Sequence, residues 1–163
     1  MKKQIFYFLA FLMVCSCSES RAQGHFDLRI GQVENGIAVF LVDEEDAKED
    51  WEKSVNENSE LNLNFDKISI QMTESVYVLV ATDKRNGTTS IIELILDGGY
   101  LYEARISGGG ATISCSGCES TGPGTSSDCI PASESGGGWY CTDCPRGTCK
   151  KTVTHTPRSI IGK

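Results

Sequence analysis

Histidine is scarce in this chain of 163 residues, and basic residues are fewer than acidic ones. Each of these features argues against a class of function. The chain has two histidines and no GxSxG, HExxH or Walker-type glycine motif, so we predict no catalytic residue. Lysine and arginine total 15 against 22 aspartate and glutamate residues, which gives a formal net charge of −7. Because nucleic acids are bound by basic surfaces, we expect no nucleic-acid partner.

Long hydrophobic runs are also missing, with one exception at the start of the chain. Residues 5–14 are apolar and follow Met1, Lys2 and Lys3. This run is too short to span a bilayer as a helix, but it matches the core of a secretory signal peptide. We therefore predict that residues 1–22 are a targeting segment and that the protein is exported.

The end of this segment resembles a bacterial lipoprotein signal. Val14 and Ser16 stand three and one positions before Cys17, as in signals whose cysteine becomes lipidated. The resemblance implies lipidation at Cys17, anchoring to the membrane through that lipid, and a place in the cell envelope as an outer-membrane lipoprotein. Cleavage after Ala22 is the alternative, and it would give a periplasmic or secreted protein. Either route leaves six cysteines, an even number that permits complete disulfide pairing.

Beyond the targeting segment, the chain has two regions of opposite composition. Residues 24–110 contain no cysteine and have 17 acidic against 7 basic residues, whereas residues 111–163 have 4 against 5 and contain all six cysteines. Three consecutive glycines at 108–110 separate the two regions. The predicted order is a signal segment at 1–22, an α+β domain at 24–107, a glycine-rich linker at 108–114, a cysteine-rich module at 115–149 and a polar tail at 150–163.

A helix is predicted directly after Asp43. This residue is a good N-cap, and the three carboxylates that follow it face the positive end of the helix dipole. Ala47, Trp51 and Val55 recur at a spacing of four and form a narrow apolar stripe, which indicates a helix that lies on one face of a sheet. A solvated helix start explains the acidic run 43–50 better than a cation site does, because EF-hand spacing is missing.

Strands are predicted in most of the remaining first region. The Asn-Gly pairs at 35–36 and 86–87 indicate hairpin turns, and the second is expected to join strands 75–82 and 88–96. Further strands are expected at 26–30, 37–42, 61–65, 68–72 and 100–106.

The alternation within these strands also predicts which side chains are buried. Alternate positions from Val76 to Val80 and from Ile92 to Leu96 are apolar, and we expect them to form one buried face. The predicted fold class is therefore α+β, mainly an antiparallel sheet with one helix, followed by a small cysteine-rich, disulfide-stapled C-terminal module.

The cysteine-rich region is too polar to fold without cross-links. Between its first and last cysteines the aliphatic and aromatic residues are Ile130, Ala132, Trp139 and Tyr140. Burial of so few side chains cannot offset an ordering cost of about 1–2 kcal/mol per residue. In an exported protein the default cross-link is the disulfide, and the pairing stays open because six cysteines permit fifteen arrangements. The predicted disulfide cysteines are Cys115, Cys118, Cys129, Cys141, Cys144 and Cys149.

Two other kinds of chemistry remain open for these cysteines. The two CxxC pairs resemble the knuckles of a zinc ribbon, which implies Cys115, Cys118, Cys141 and Cys144 as metal ligands and zinc as a cofactor. Cys129 and Cys149 have no role in that arrangement. A thiol-redox protein would instead use one CxxC pair, although neither pair stands at a recognisable helix N-terminus that would lower a thiol pKa.

Without a catalytic motif, the sequence favours a non-enzymatic, exported and lipid-anchored envelope protein whose cysteine-rich module is an interaction element. The expected partner, besides the membrane, is another envelope protein or a surface polymer, and no cofactor is expected outside the zinc alternative. Candidate contact residues are Tyr100 and Tyr102, which fall on one face of a strand, and Trp139 and Tyr140 beside Cys141.

Overall fold

Antiparallel strands form most of the part of the chain that is described by the computed structural model, which comprises residues 28–106, 109–118, 129–135, 137–144, 146–157 and 159–161. Among these residues, no helix combines the length and the hydrophobicity that crossing a bilayer requires. The described elements are β1 (Arg29–Glu34), β2 (Ile37–Phe40), α1 (Glu44–Asn58), β3 (Lys67–Thr73), β4 (Val76–Asp83), β5 (Thr88–Asp97), β6 (Tyr100–Glu103), β7 (Arg105–Ile106), β8 (Gly109–Cys118), β9 (Pro131–Ser133), β10 (Trp139–Cys141) and β11 (Gly147–Thr156).

Nine of the described strands form a single antiparallel sheet with β5 at its centre. β4 lies along one side of β5, while β8 and β6 share the other side, one along each half of the strand. β3 lies beyond β4, β11 beyond β8, and β1 and β2 beyond β6. β9 and β10 form a separate hairpin. The prediction of a mainly antiparallel sheet with one helix is confirmed for the described residues, although strand outweighs helix more than the term α+β suggests.

α1 begins at the predicted residue. The Asp43 side chain accepts hydrogen bonds from the backbone nitrogens of Glu45 and Asp46 at 2.9 and 3.1 Å. These bonds satisfy two of the amide groups that have no partner within the first turn of a helix. The acidic residues of this first turn are exposed, so the run 43–50 forms a solvated helix start.

The predicted apolar stripe of α1 faces the sheet. Ala47, Trp51 and Val55 are all at most 2% exposed. The Trp51 indole nitrogen donates a hydrogen bond of 3.0 Å to Thr112 Oγ1 on β8, and the indole ring lies 5.1 Å from the ring of Phe65. Because Trp51 bonds to β8, a strand distant in the sequence, it fixes the position of the helix on the sheet.

Both Asn-Gly pairs lie in turns between the strands that they were predicted to join. Asn35 and Gly36 have φ values of 51° and 80° and connect β1 to β2. Gly87 has a φ of 59° and precedes β5, whose Thr88 lies opposite Asp83 of β4. Positive φ is tolerated best by glycine and asparagine, which explains these residues at these turns.

Residues 61–65 are not a strand, and this corrects the prediction from their alternation. Leu63 and Phe65 are buried, but their backbone groups bond to side chains of α1 rather than to a neighbouring strand. The Asn56 carboxamide pairs with both backbone groups of Leu63 at 2.8 and 2.9 Å. Glu52 Oε2 accepts a hydrogen bond of 2.8 Å from the nitrogen of Phe65. These contacts replace the pairing that a strand would require.

The glycine-rich segment 108–114 is predicted to be a linker, and the structure corrects this from Gly109 onward. That residue begins β8, which pairs with β5, β7 and β11 inside the sheet. A Cβ atom at Gly109 would collide with the carbonyl of Thr156, and one at Gly110 would collide with the carboxylate of Glu103. Close packing rather than flexibility therefore explains these glycines.

The polar tail predicted at 150–163 is also corrected by the structure. Its first part lies in β11, and Ile160 and Ile161 are buried in the core at 2% and 1% exposure. The buried carboxylate of Glu103 holds this end of the chain through its Oε2 atom, which accepts hydrogen bonds from Ser159 Oγ at 2.7 Å and from the nitrogen of Ile160 at 3.0 Å. The last described residues therefore belong to the folded domain.

The sheet buries apolar side chains on both of its faces, which corrects the expectation of one buried face. Val80 lies opposite Ile91 and Leu79 opposite Ile92, so the valines of β4 and Ile92 of β5 project to opposite sides. The side that contacts α1, called the helix face, bears the larger cluster, which includes Leu79 and Ile92. The other side, called the outer face, bears a smaller cluster of Val78, Ile91, Ile113 and Trp139, with Val76 and Val80 packed against it.

Burial raises the pKa of Glu103 above its ordinary value of 4.5, and hydrogen bonds from Ser159 and Ile160 oppose this shift. The folded protein therefore binds this proton more tightly than the unfolded chain does. The resulting contribution to stability is complete below pH 4.5 and is lost as the pH rises through the raised pKa. As the pH rises, the free energy of unfolding should fall by at most about 1.4 kcal/mol per pH unit, and we expect Glu103→Gln to remove this fall. Urea unfolding at several pH values between about pH 4 and pH 8 measures the pH dependence of the free energy of unfolding.

Ser159→Ala is the matched comparison because it removes a donor that favours the ionised carboxylate. In this variant the loss of stability should extend to higher pH than in the unsubstituted protein. A Glu103→Gln protein with an unchanged pH dependence would contradict the assigned role of this carboxylate.

Candidate functional site

Disulfides connect all six cysteines that follow Cys17, as predicted. The two CxxC pairs are joined to each other rather than closed locally, and the third bond links the segment before β9 to β11. The Cα atoms of the three pairs are 5.6 to 5.7 Å apart, within the usual range for a disulfide. The pairs are Cys115–Cys141, Cys118–Cys144 and Cys129–Cys149.

These bonds tie a polar segment to the main sheet. Their sequence separations are 26, 26 and 20 residues, so each restricts the unfolded chain by about 3–3.5 kcal/mol in the loop-entropy model. Cys115 lies in the part of β8 that pairs with β5, and its bond to Cys141 holds the end of β10 close to that strand. The cysteine-bearing segment is therefore attached to the outer face of the sheet rather than extended away from it.

Trp139 is the main contact between the β9–β10 hairpin and the outer face. Its side chain is 9% exposed and packs in the cluster that contains Ile91 and Ile113. Its indole nitrogen lies 3.2 Å from Glu93 Oε2, to which it donates a hydrogen bond, and the ammonium of Lys151 donates to its backbone carbonyl. The hairpin therefore covers this half of the outer face with one large aromatic side chain.

The outer face continues beyond the hairpin as a surface that we call the tyrosine patch. Tyr102 lies opposite Ile95, and Tyr100 lies opposite Gln32, which in turn lies opposite Val39. Residues directly opposite each other in a sheet project from the same face. The tyrosine patch consists of Ile37, Val39, Ile95, Tyr100 and Tyr102.

Apolar and aromatic groups of this patch are accessible to a partner. Ile37 is 67% exposed and Ile95 is 38% exposed, while both tyrosines are half-buried. The guanidinium of Arg29 lies 4.1 Å from the centroid of the Tyr100 ring, a cation–π arrangement that orients the ring. The expected grouping of Tyr100 and Tyr102 on one strand face is confirmed.

Carboxylates border the tyrosine patch. Glu34 lies opposite Ile37 and Asp97 lies opposite Tyr100. Both acidic residues are exposed. An apolar surface with an acidic border is complementary to a partner that offers apolar side chains next to basic ones.

The remaining residues of interest are less informative. Cys17, the predicted lipidation site, lies outside the described residues, as does His25, one of the two histidines. The other histidine, His155, is exposed on β11, opposite Ala111. The two predicted contact residues beside Cys141 differ, because Trp139 is buried against the sheet and only Tyr140, which is 44% exposed, is accessible to a partner.

Among the described residues, three cysteine sulfurs lie close enough together to hold a metal ion. The sulfurs of Cys129, Cys141 and Cys149 lie within 4.8 Å of one another. All three belong to disulfides, as do the CxxC cysteines of the zinc alternative. Because metals bind cysteine as the thiolate, zinc binding would require the reduced chain and stays a prediction.

Comparisons with protein-family models, with curated protein sequences and with solved structures find no match to this chain. The chemistry of the site is therefore inferred from its own geometry. Sequence reasoning missed Arg29, Ile95 and Glu93, because their roles depend on which strands become neighbours. Alternation along β5 indicated a strand, but only the pairing with β6 places Ile95 beside Tyr102.

We expect Trp139→Ala to destabilise the oxidised protein by about 3 kcal/mol, because truncation removes the buried contact between the hairpin and the outer face. Tyr140→Ala, at the neighbouring exposed position, should change the free energy of unfolding by less than about 0.5 kcal/mol. Urea unfolding of both variants under non-reducing conditions measures the difference. Equal effects of the two substitutions would show that Trp139 does not anchor the hairpin.

Proposed function

We propose that this chain is an exported, lipid-anchored protein of the bacterial cell envelope that acts as a non-enzymatic binding domain, with the tyrosine patch as its binding surface. The observation that supports export best is the disulfide pairing of every cysteine after Cys17. Such bonds persist in oxidising compartments and are rare in the reducing cytosol. The signal segment at 1–22 supports the same compartment independently.

The anchor in this proposal is a lipidated Cys17. Several acyl chains would hold the protein firmly, whereas one chain binds a membrane only marginally. Residues 18–27 separate the lipidated residue from Leu28, the first residue that the structure describes. Ten residues of extended chain span at most about 35 Å, which leaves the domain close to the membrane but free to meet other envelope components.

The partner in this proposal is another envelope protein with a basic, apolar segment. Ile37 and Ile95 offer exposed apolar area, and the half-buried tyrosines offer rigid aromatic surface of the kind that is enriched in protein interfaces. The bordering carboxylates of Glu34 and Asp97 outnumber the guanidinium of Arg29 and favour a cationic partner. The patch lies on paired strands of the main sheet, so it is held in shape before binding, which reduces the entropy lost on association.

Cys17→Ser should release the protein from membranes, because the substitution removes the acylated sulfur. Cys15→Ser is the control, since this cysteine precedes the modified position and should leave the protein anchored. Fractionation of cells into membrane and soluble material, followed by immunoblotting, measures both. Unchanged membrane association of Cys17→Ser would contradict the lipid anchor.

Photo-crosslinking in living cells tests the tyrosine patch. Replacement of Ile95 by p-benzoylphenylalanine should give a discrete crosslinked product, because this residue is exposed on the β5 side of the patch. Met72 is the matched control, since it is 62% exposed on β3 but projects from the helix face. The additional change Asp97→Lys should reduce the product several-fold by removing charge complementarity. Equal crosslinking from both positions would argue against this surface.

A further inference from the structure

A cleft of about 750 Å³ opens on the helix face, away from the tyrosine patch. It lies between the C-terminal half of α1, the segment 60–64, the β4–β5 turn and the adjoining parts of β8 and β11. Its volume is within the range of small-molecule binding sites. None of the residues that line it has been used in the proposed function.

Polar side chains from four neighbouring strands form one row at this end of the helix face. Asp83 lies opposite Thr88, and Ser116 lies opposite Lys150. Because Thr89 lies opposite Cys115, Thr88 is the neighbour of Ser116 across β5 and β8. Of these four residues, the last three line the cleft. The floor of the cleft therefore presents hydroxyl groups.

The next row is also polar. Ser90 lies opposite Ser114, and their hydroxyl oxygens are 2.7 Å apart. Both residues are at most 1% exposed, so this pair satisfies its own hydrogen bonds beneath the floor. Beneath the floor of the cleft, β5 and β8 thus bury a pair of hydroxyl groups instead of apolar side chains.

The segment 60–64 forms a wall that is already ordered. Asn56 pairs with the backbone of Leu63, and the nitrogen of Asn64 donates a hydrogen bond of 2.9 Å to Asp83 Oδ2. Asn86 Nδ2 donates to the carbonyl of Asn62 at 2.9 Å. With the backbone satisfied in this way, the carboxamides of Asn62 and Asn64 are exposed at the cleft and form no hydrogen bond to other described residues.

Two cations line the same cleft. Arg85 and Lys150 are exposed, and neither side chain forms an ion pair with another described residue. Two carboxylates, Glu52 and Glu60, also line the cleft, so the formal charges of the described lining sum to zero. Neither cation is paired with these carboxylates, so both are available to an anionic group on a ligand.

We propose that this cleft binds an acidic saccharide. Arg85 and Lys150 would pair with its carboxylates, while the hydroxyls of the floor and the carboxamides of the wall would hydrogen-bond to its sugar hydroxyls. No aromatic ring is among the described lining residues, so the lining offers no platform on which a nucleobase could stack. The proposal is independent of the tyrosine patch and of the lipid anchor.

Titration of the full, oxidised chain with trigalacturonate tests this proposal, with neutral maltotriose as the comparison ligand. The chain is prepared with Cys17→Ser for solubility, and binding is followed by isothermal calorimetry and by amide chemical shifts. We expect saturable binding of trigalacturonate alone, weakened at least about tenfold by Arg85→Gln and by Lys150→Gln. Lys84→Gln, an exposed position next to Arg85 that does not line the cleft, should leave the affinity unchanged.

The chemical shifts keep the result interpretable if a variant folds poorly, because they map the ligand on the unsubstituted protein. Perturbed amides at Asn62, Thr88 and Ser116 would support the assignment. Shifts confined to the tyrosine patch, equal affinity for maltotriose, or no saturation with trigalacturonate would each overturn it.

Discussion

A sheet whose central strand is apolar on both sides must be covered on both sides, and this constraint organises the whole domain. β5 places Ile91 on the outer face and Ile92 on the helix face, and both are at most 3% exposed. Each buried side chain of this size contributes roughly 1.5–3 kcal/mol only if water is kept away from it. The helix α1 covers one face through Trp51, and the β9–β10 hairpin covers the other through Trp139.

The two covers are held by different physical means. α1 is capped at Asp43 and buries an apolar stripe, so packing and hydrogen bonds maintain its position. The hairpin has one large buried side chain and few other apolar residues, so its position depends on disulfides. A reduced chain would therefore lose the outer cover before it loses α1.

Neither cover extends over its whole face, and the two uncovered areas differ in chemistry. On the outer face the sheet continues into apolar and aromatic side chains with an acidic border, which suits a protein partner. On the helix face it ends in hydroxyls, carboxamides and charged groups of both signs around a cleft, which suits a polar small molecule. One antiparallel sheet thus separates two proposed binding sites by the alternation of its side chains.

Local signals predict the structure correctly where neighbouring residues decide it. The N-cap at Asp43, the stripe that includes Trp51 and the turn at 35–36 depend on contacts within a few residues, and the structure confirms them. Residues 61–65 show the limit of such signals. Their alternation predicts a strand, but their backbone groups bond to side chains of α1 instead of to a neighbouring strand. Likewise, the glycines at 109 and 110 suggest flexibility until Thr156 and Glu103 are found packed against them.

Composition alone required that the polar C-terminal region be cross-linked, because its few apolar residues cannot offset the entropy of ordering a chain. Which cysteines pair, and that Trp139 covers the sheet, follow only from the fold, since the partners are about twenty or more residues apart in sequence. The same holds for both proposed sites. The sequence of each strand determines which side chains alternate between the two faces. The register between strands determines which of these side chains become neighbours, and long-range packing determines that register.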